Sequence, residues 1–310
     1  MNPFSIAIHG GAGTLLKGQM TSEKEVAYKS GLQDALDTGY EILNKGGSAL
    51  DAVTASVIIL ENNHLFNSGK GSVFTANGCH EMDASIMEGK YMKAGAISLI
   101  SGIKNPVSLA RDVMEKSEHV FLAAEGAIQF AQSLGYKIED ESYFYDDFRF
   151  HQWQEIKGSS HFQLDHSVSK ESKFGTVGAV ACDKYGNVAA ATSTGGMTNK
   201  KWGRIGDSSM IGAGNYANNT TCAVSCTGSG EFFIRGVVAY DVSCLMEYKG
   251  LTLIDAANEV IHHRLVRMGG DGGLIAVDAS GNVALPFNTD GMYRAYKTSD
   301  GKEQVSIYKE

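Results

Sequence analysis

Residues 4–8, FSIAI, form a short apolar run that ends at the glycine-rich HGGAG of residues 9–13, the pattern of a strand running into a turn. Helical spacing follows over residues 23–43 and stops at Gly46 and Gly47. Ser48 begins a second helix, with Asp51 three positions on in a variant of the capping box. That helix reaches residue 61 and carries AVTASVIIL almost unbroken, so most of its surface is expected to be buried. A glycine-punctuated loop, NHLFNSGKGS, comes next, then alternating segments over 72–85 and 94–99. Asn105 before Pro106 marks a helix start. Helical patterns continue to residue 116 and again over 120–134.

Between residues 139 and 173 the chain is rich in Ser, Asp, His, Lys and aromatics and has no sustained apolar period. A partial helix followed by a flexible linker over 158–175 fits that composition. Small and β-branched residues then dominate to Cys226, followed by helical patterns over 234–248 and from a Thr252 cap to residue 268. GLIAVDASGNVALPFNTDG adds two strands joined at residues 280–282. Helices, hairpins, helices and a hairpin in that order suit sheets with helices outside them better than a βαβ repeat.

The hairpin within GTVGAVACDKYGNVAAATSTGG can be registered from its pattern alone. Taking residues 183–187 as the loop sets Cys182 opposite Val188 and, carried outward, Thr176 opposite Thr194. Threonine favours strands for its shape, so the pair alone proves no chemistry. Beyond it, NKKWGRIGD supplies Arg204, suited to grip a carboxylate, and Asp207, suited to an ammonium. An ion pair on the surface is the plainer reading of those two. CTGSGE supplies the Thr227 hydroxyl and the Gly228 N–H, donors for an oxyanion or simply parts of a turn. His9 reads as a satisfied structural histidine beside the glycines.

Composition narrows the classes. With 310 residues and 43% hydrophobic content the chain can build a real core, and its 37 glycines are scattered rather than periodic. A formal net charge of −8 without any basic run argues against nucleic-acid binding. The five cysteines are an odd count, and Cys222 and Cys226 have no second pair at zinc-site spacing, so buried thiols in a reducing compartment are expected. MNPFSIAIHGG has no basic segment ahead of a long apolar run, and no run approaches a membrane span of roughly 18 residues. Asn218 and Asn219 match the glycosylation sequon, a motif frequent by chance. No dinucleotide or phosphate-loop motif is present. The expectation is a soluble cytoplasmic protein that binds neither nucleic acid nor membrane.

Several long motifs, in order, carry a resemblance: AIHGGAG, FNSGKGS, GTVGAVACD, TSTGGMTNK, GRIGDSSMIGAGNYA, CTGSGE and FNTDGMYRAY. Together they resemble the isoaspartyl peptidase/L-asparaginase family, the plant-type asparaginases among the N-terminal-nucleophile (Ntn) hydrolases. The resemblance implies an α/β four-layer αββα sandwich in one domain. It implies a precursor cut at Gly175–Thr176 into an α subunit, 1–175, and a β subunit, 176–310. Thr176 would be the nucleophile, with Thr194 assisting it and Asn67 close by. Arg204 and Asp207 would hold the substrate's α-carboxylate and α-amine, with Gly230 beside them, and Thr227 with Gly228 would form the oxyanion hole. No cofactor is implied for the chemistry. A structural sodium ion would be wrapped by backbone of Leu60, Glu61, Asn63, Phe66, Ser68 and Lys70, with Ser68 standing where the family often has alanine.

Isoaspartyl dipeptides and L-asparagine are the implied substrates, and a dimer of αβ units the implied assembly. Phe174 departs from the histidine many relatives carry before the Gly-Thr pair, which bears on processing speed. Glycosylasparaginase activity and a non-catalytic amino-acid-binding homologue remain as alternatives. The chemistry is consistent with the resemblance: a threonine hydroxyl needs an adjacent base, and cleavage would free an α-amine on Thr176 with a reference pKa of roughly 7.7–8.0.

Overall fold

The structure, a computed structural model, describes residues 2–13, 15–158 and 175–309. Its strands are β1 (Ser5–Gly13), β2 (Met82–Glu88), β3 (Ala94–Ile100), β4 (Phe121–Ala123), β5 (Val177–Cys182), β6 (Val188–Thr194), β7 (Asn215–Ala217), β8 (Cys222–Gly228), β9 (Gly272–Asp278), β10 (Val283–Ala284), β11 (Gly291–Thr298) and β12 (Glu303–Tyr308). The α-helices are α1 (Ser22–Asn44), α2 (Ala49–Glu61), α3 (Pro106–Lys116), α4 (Ala124–Ser133), α5 (Asp147–Ile156), α6 (Gly230–Gly236), α7 (Val238–Lys249) and α8 (Leu253–Asn258).

One eight-stranded sheet runs β12-β11-β1-β5-β6-β2-β3-β4, and a four-stranded sheet runs β10-β9-β8-β7. The two face each other through β1, β5 and β6 on one side and β8 and β9 on the other. Helices α1, α2 and α3 cover the outer face of the large sheet, and α7 and α8 pack on the small one. This is the αββα sandwich expected from the resemblance.

Alternation explains why the middle strands are built from small residues. Val177, Ala179 and Ala181 of β5, with Ala189 and Ala191 of β6, join the core beneath α1 and α2. Val180, Cys182, Val188 and Ala190 point the other way, into the core between the sheets. Both faces are covered, so the middle of each strand is apolar on both sides. Room is short: a Cβ on Gly178 would lie 2.5 Å from His9 Nε2. Helix α2 buries Val53, Val57 and Leu60 completely against the large sheet, each aliphatic side chain contributing roughly 1.5–3 kcal/mol. Its cap is the expected one, with Ser48 Oγ accepting from Asp51 N at 3.1 Å.

Four local readings are corrected. The glycines of HGGAG do not end the first strand; β1 continues to Gly13, and a bulge between His9 and Gly11 absorbs them. Residues 72–81 stay irregular before β2. The helix expected over 120–134 starts only at Ala124, because residues 121–123 pair in parallel with β3. The single helix expected over 234–248 is two, α6 and α7, divided at Val237 with φ of 48°, a conformation that local propensity disfavours for a β-branched residue. The Thr252 cap holds, and α8 passes into a π-helical turn over Glu259–Leu265. The linker expected over 158–175 lies, for residues 159–174, outside the described residues, as does Phe174.

Candidate active site

The hairpin keeps the expected register. Cys182 pairs with Val188 and Val177 with Ser193, so Thr176 lies one step beyond, across from Thr194. Their hydroxyls, however, are bonded elsewhere. Thr176 Oγ1 lies 3.0 Å from Ser208 Oγ, and Thr194 Oγ1 accepts from Gly196 N at 2.9 Å. A cavity of about 80 Å³ opens at this end of the hairpin, lined in part by Asn67, Gly175, Thr176, Thr194, Arg204, Asp207 and Gly228. That is well above the roughly 10–15 Å³ needed to hold one water.

The segment ahead of Thr176 is tightly enclosed. Gly11, at φ of 114°, lies so close that a Cβ there would fall 2.6 Å from Gly175 N. A Cβ on Gly175 would fall 3.0 Å from Thr227 Oγ1. Thr227 itself is fully buried, and its hydroxyl oxygen accepts from Ala12 N at 3.2 Å. Since the oxygen is an acceptor there, its hydrogen remains for donation to a further oxygen. Gly11 and Ala12, Gly175 and Thr176, and Thr227 are thus brought together from three parts of the chain.

On the far wall, Arg204 donates from Nε and Nη2 to Glu231 at 2.8 and 3.0 Å, a bidentate pair that sequence reading did not assign. Asp207 is buried, and its Oδ2 has no hydrogen-bond partner among the described residues. Burial pushes its carboxyl up to about 7, with Arg204 opposing. An ammonium arriving in the cavity would supply the missing partner. Gly230 leaves the space these groups need: a Cβ there would fall 2.8 Å from Asp207 Oδ1 and 3.0 Å from Arg204 Nη2.

Comparison with known proteins gives the family. The family model described as asparaginase matches residues 1–307. The chain belongs to the isoaspartyl peptidase/L-asparaginase family. It is 50% identical to the isoaspartyl peptidase of Salmonella typhimurium over the whole of both chains. It is 41% identical to the human isoaspartyl peptidase/L-asparaginase, covering 99% of this chain and 96% of that one. To the plant-type L-asparaginase of Pyrococcus horikoshii it is 42% identical, covering 97% and 98%. Membership of this family makes the chain a threonine-nucleophile hydrolase.

Behind the family's threonine runs a chain of buried polar groups. His9 Nδ1 is 3.0 Å from Thr176 O, and His9 Nε2 is 2.9 Å from Ser225 Oγ. Burial pushes the imidazole down to about 3, so the ring is neutral. A carbonyl only accepts, so Nδ1 carries the proton and Ser225 donates to Nε2. The expected structural histidine is therefore the group that holds the Thr176 carbonyl.

Asn67 is fixed by two bonds, accepting from Val73 N at 3.1 Å and donating to Gly196 O at 2.7 Å. Its neighbour Ser68 meets Ser193 Oγ at 2.6 Å. Ser193 in turn donates to the buried Glu61 at 2.7 Å, and burial pushes Glu61 up to about 8. Ser193 already gives its proton to Glu61, so Ser68 donates to Ser193. The Ser68 hydroxyl therefore links the Asn67 loop to the strand end that carries Thr194.

Among the described residues no group of three or more His, Cys, Asp or Glu is placed to hold a metal ion. The loop assigned to sodium offers backbone oxygens instead. Cβ atoms on Gly69 and Gly71 would collide with the carbonyl oxygens of Glu61 and Phe66, so these oxygens turn inward against glycine. Several of the loop's carbonyls already accept backbone bonds: Asn63 O from Phe66 N, Phe66 O from Ser68 N and Ser68 O from Gly71 N.

Ser208, Arg149 and Gln152 are among the lining residues that escaped sequence reading. Ser208 stands in the quoted GRIGDSSM, next to Asp207. The α5 pair had a signal too: Asp146 is an N-cap, accepting from Arg149 N at 3.0 Å.

Proposed function

We propose that the chain cuts itself between Gly175 and Thr176 into α and β subunits and, once cut, hydrolyses β-aspartyl dipeptides and L-asparagine to L-aspartate. The observation that carries this reading is the buried carboxylate of Asp207, whose Oδ2 has no hydrogen-bond partner among the described residues, in the same cavity as Thr176. The isoaspartyl peptidases and asparaginases named above supply the substrate class.

In the precursor, Thr176 Oγ attacks the Gly175 carbonyl, and Thr227 donates to the oxygen that becomes negative. The acyl group passes from nitrogen to oxygen, and water hydrolyses the ester. A free α-amine is left on Thr176. That amine takes the hydroxyl proton, directly or through water, while the same oxygen attacks the substrate's side-chain carbonyl. Arg204 and Asp207 hold the α-carboxylate and α-amine, with Gly230 leaving them room. Thr227 and Gly228 serve the oxyanion, and Thr194 and Asn67 orient the nucleophile. Ammonia or an amino acid leaves, and water releases aspartate from the enzyme ester.

Backbone carbonyls of Leu60, Glu61, Asn63, Phe66, Ser68 and Lys70 would hold a sodium ion whose charge stiffens the loop presenting Asn67. Assembly as two αβ units in the cytoplasm completes the proposal. Among the described residues no helix is long and apolar enough to cross a membrane.

Incubated wild-type chain is expected to give two fragments by intact mass, then to release aspartate from β-aspartyl-leucine and from asparagine. One unbroken chain with no turnover would favour the amino-acid-binding homologue. Turnover confined to a glycosylated asparagine would favour glycosylasparaginase.

The pH profile has a defined sign. Asp207, raised to about 7, is protonated below that pH and cannot hold an ammonium. The Thr176 amine, with a reference pKa of roughly 7.7–8.0, is protonated and cannot act as base. Both gain competence as pH rises, so kcat/KM is expected to climb from pH 6 to 8. A profile that declines over that range would contradict both assignments.

A further inference from the structure

The cavity holds a second arginine for which an asparagine molecule has no matching group. Arg149, 2% exposed, lines it together with Gln152. Both stand on α5 three positions apart, hence on one face. That helix is firmly seated. Trp153 stacks on Phe74 with ring centroids 5.6 Å apart, and Phe150 meets the same ring at 5.8 Å. Phe74 follows Val73, whose N–H binds Asn67, so α5 is anchored to the segment that fixes the family's asparagine. Gln152 Oε1 is buried and has no hydrogen-bond partner among the described residues.

The two cations act on different groups. Arg204 lies against Glu231 and Gly230 and acts on Asp207. Arg149 acts instead on Tyr28 and Tyr293, whose phenols burial raises and its charge pulls back.

Asparagine brings one carboxylate and one ammonium, which Arg204 and Asp207 account for, and its leaving group is ammonia. A β-aspartyl dipeptide brings one carboxylate more, on the amino acid that departs. We propose that Arg149 is the subsite for that carboxylate and so sets the preference for dipeptide over asparagine. The inference rests on the hydrolase reading above and assigns a specificity role within it.

The test uses matured enzyme, with the cleaved fraction measured by intact mass, and three substrates: L-asparagine, β-aspartyl-leucine, and β-aspartyl-leucine with its C-terminus as a carboxamide. Wild type is expected to prefer the free acid over the carboxamide. Arg149→Met is expected to raise KM for the acid and lower the dipeptide-to-asparagine ratio of kcat/KM by about 10–100-fold, the scale of one lost hydrogen bond to a charged group. It should also erase the preference for acid over amide, and Arg149→Lys should restore part of it.

An unmoved ratio, or an equal loss on asparagine and dipeptide, overturns the subsite. If Arg149→Met fails to mature, wild type alone decides, since equal rates on acid and amide overturn the proposal. Wild type inert toward asparagine and dipeptide alike would overturn the hydrolase reading itself, a result distinct from an active enzyme that ignores the carboxylate.

Discussion

Thr176→Ala is expected to give one uncut chain of 310 residues that releases no aspartate from β-aspartyl-leucine or asparagine. Both reactions use the same oxygen, so both vanish together. In the uncut chain the nitrogen of residue 176 is an amide and cannot accept a proton. Even if another group cleaved the chain, alanine would have no hydroxyl to attack a substrate. Unfolding would not explain the loss. Thr176 Oγ1 has one neutral neighbour, Ser208 Oγ at 3.0 Å, and such a bond contributes about 0.5–1.5 kcal/mol. The variant should therefore melt within a few degrees of wild-type precursor. Intact mass after long incubation, the two hydrolysis assays and a melting curve check all three points. Normal cleavage or turnover by this variant would reject Thr176 as nucleophile.

How much of this was legible before any coordinates depended on whether a feature was local. The Thr176–Thr194 register was, because two period-two runs flank one short loop, and a slip of one residue would turn every side chain to the other face. Ser48, with Asp51 three positions on, was equally readable as a cap. Arg204 and Asp207 could be proposed from one loop, and both line the cavity. The partner of Arg204 could not: Glu231 lies on α6, and only packing of that helix against the loop brings it there. Ser208 is similar, since nothing local aims its hydroxyl at Thr176.

Other misses came from tertiary context overriding pattern. The run at 121–123 reads as the first turn of a helix until β3 offers it a parallel neighbour. Val237 sits inside a good helical pattern, yet its positive φ divides it. The glycines of HGGAG looked like a turn. Their use is a bulged strand on which Gly11 admits the backbone of Gly175, a contact between residues far apart in the chain.

Thr227→Val is expected to slow both self-cleavage and substrate turnover by about 10²–10³-fold, the usual effect of removing one oxyanion donor. Valine keeps the shape and removes only the hydroxyl. That hydroxyl accepts from Ala12 N at 3.2 Å and lies beside Gly175, so its hydrogen is free for the oxygen that becomes negative. The loss should fall on kcat rather than KM, because the bond strengthens only as charge develops. A stability cost is expected too, since the part-buried Ala12 N–H loses its acceptor, at less than the roughly 1–3 kcal/mol of a fully buried group. Rates should therefore be compared well below the variant's melting temperature. Two clocks separate the roles: the rate at which precursor becomes two fragments, and kcat of whatever has matured. Slowing of both places one donor on two successive carbonyls, first that of Gly175 and then that of the substrate. Slowing of turnover alone would mean that the precursor's oxyanion is held by another group, and wild-type rates on both clocks would remove Thr227 from the oxyanion hole.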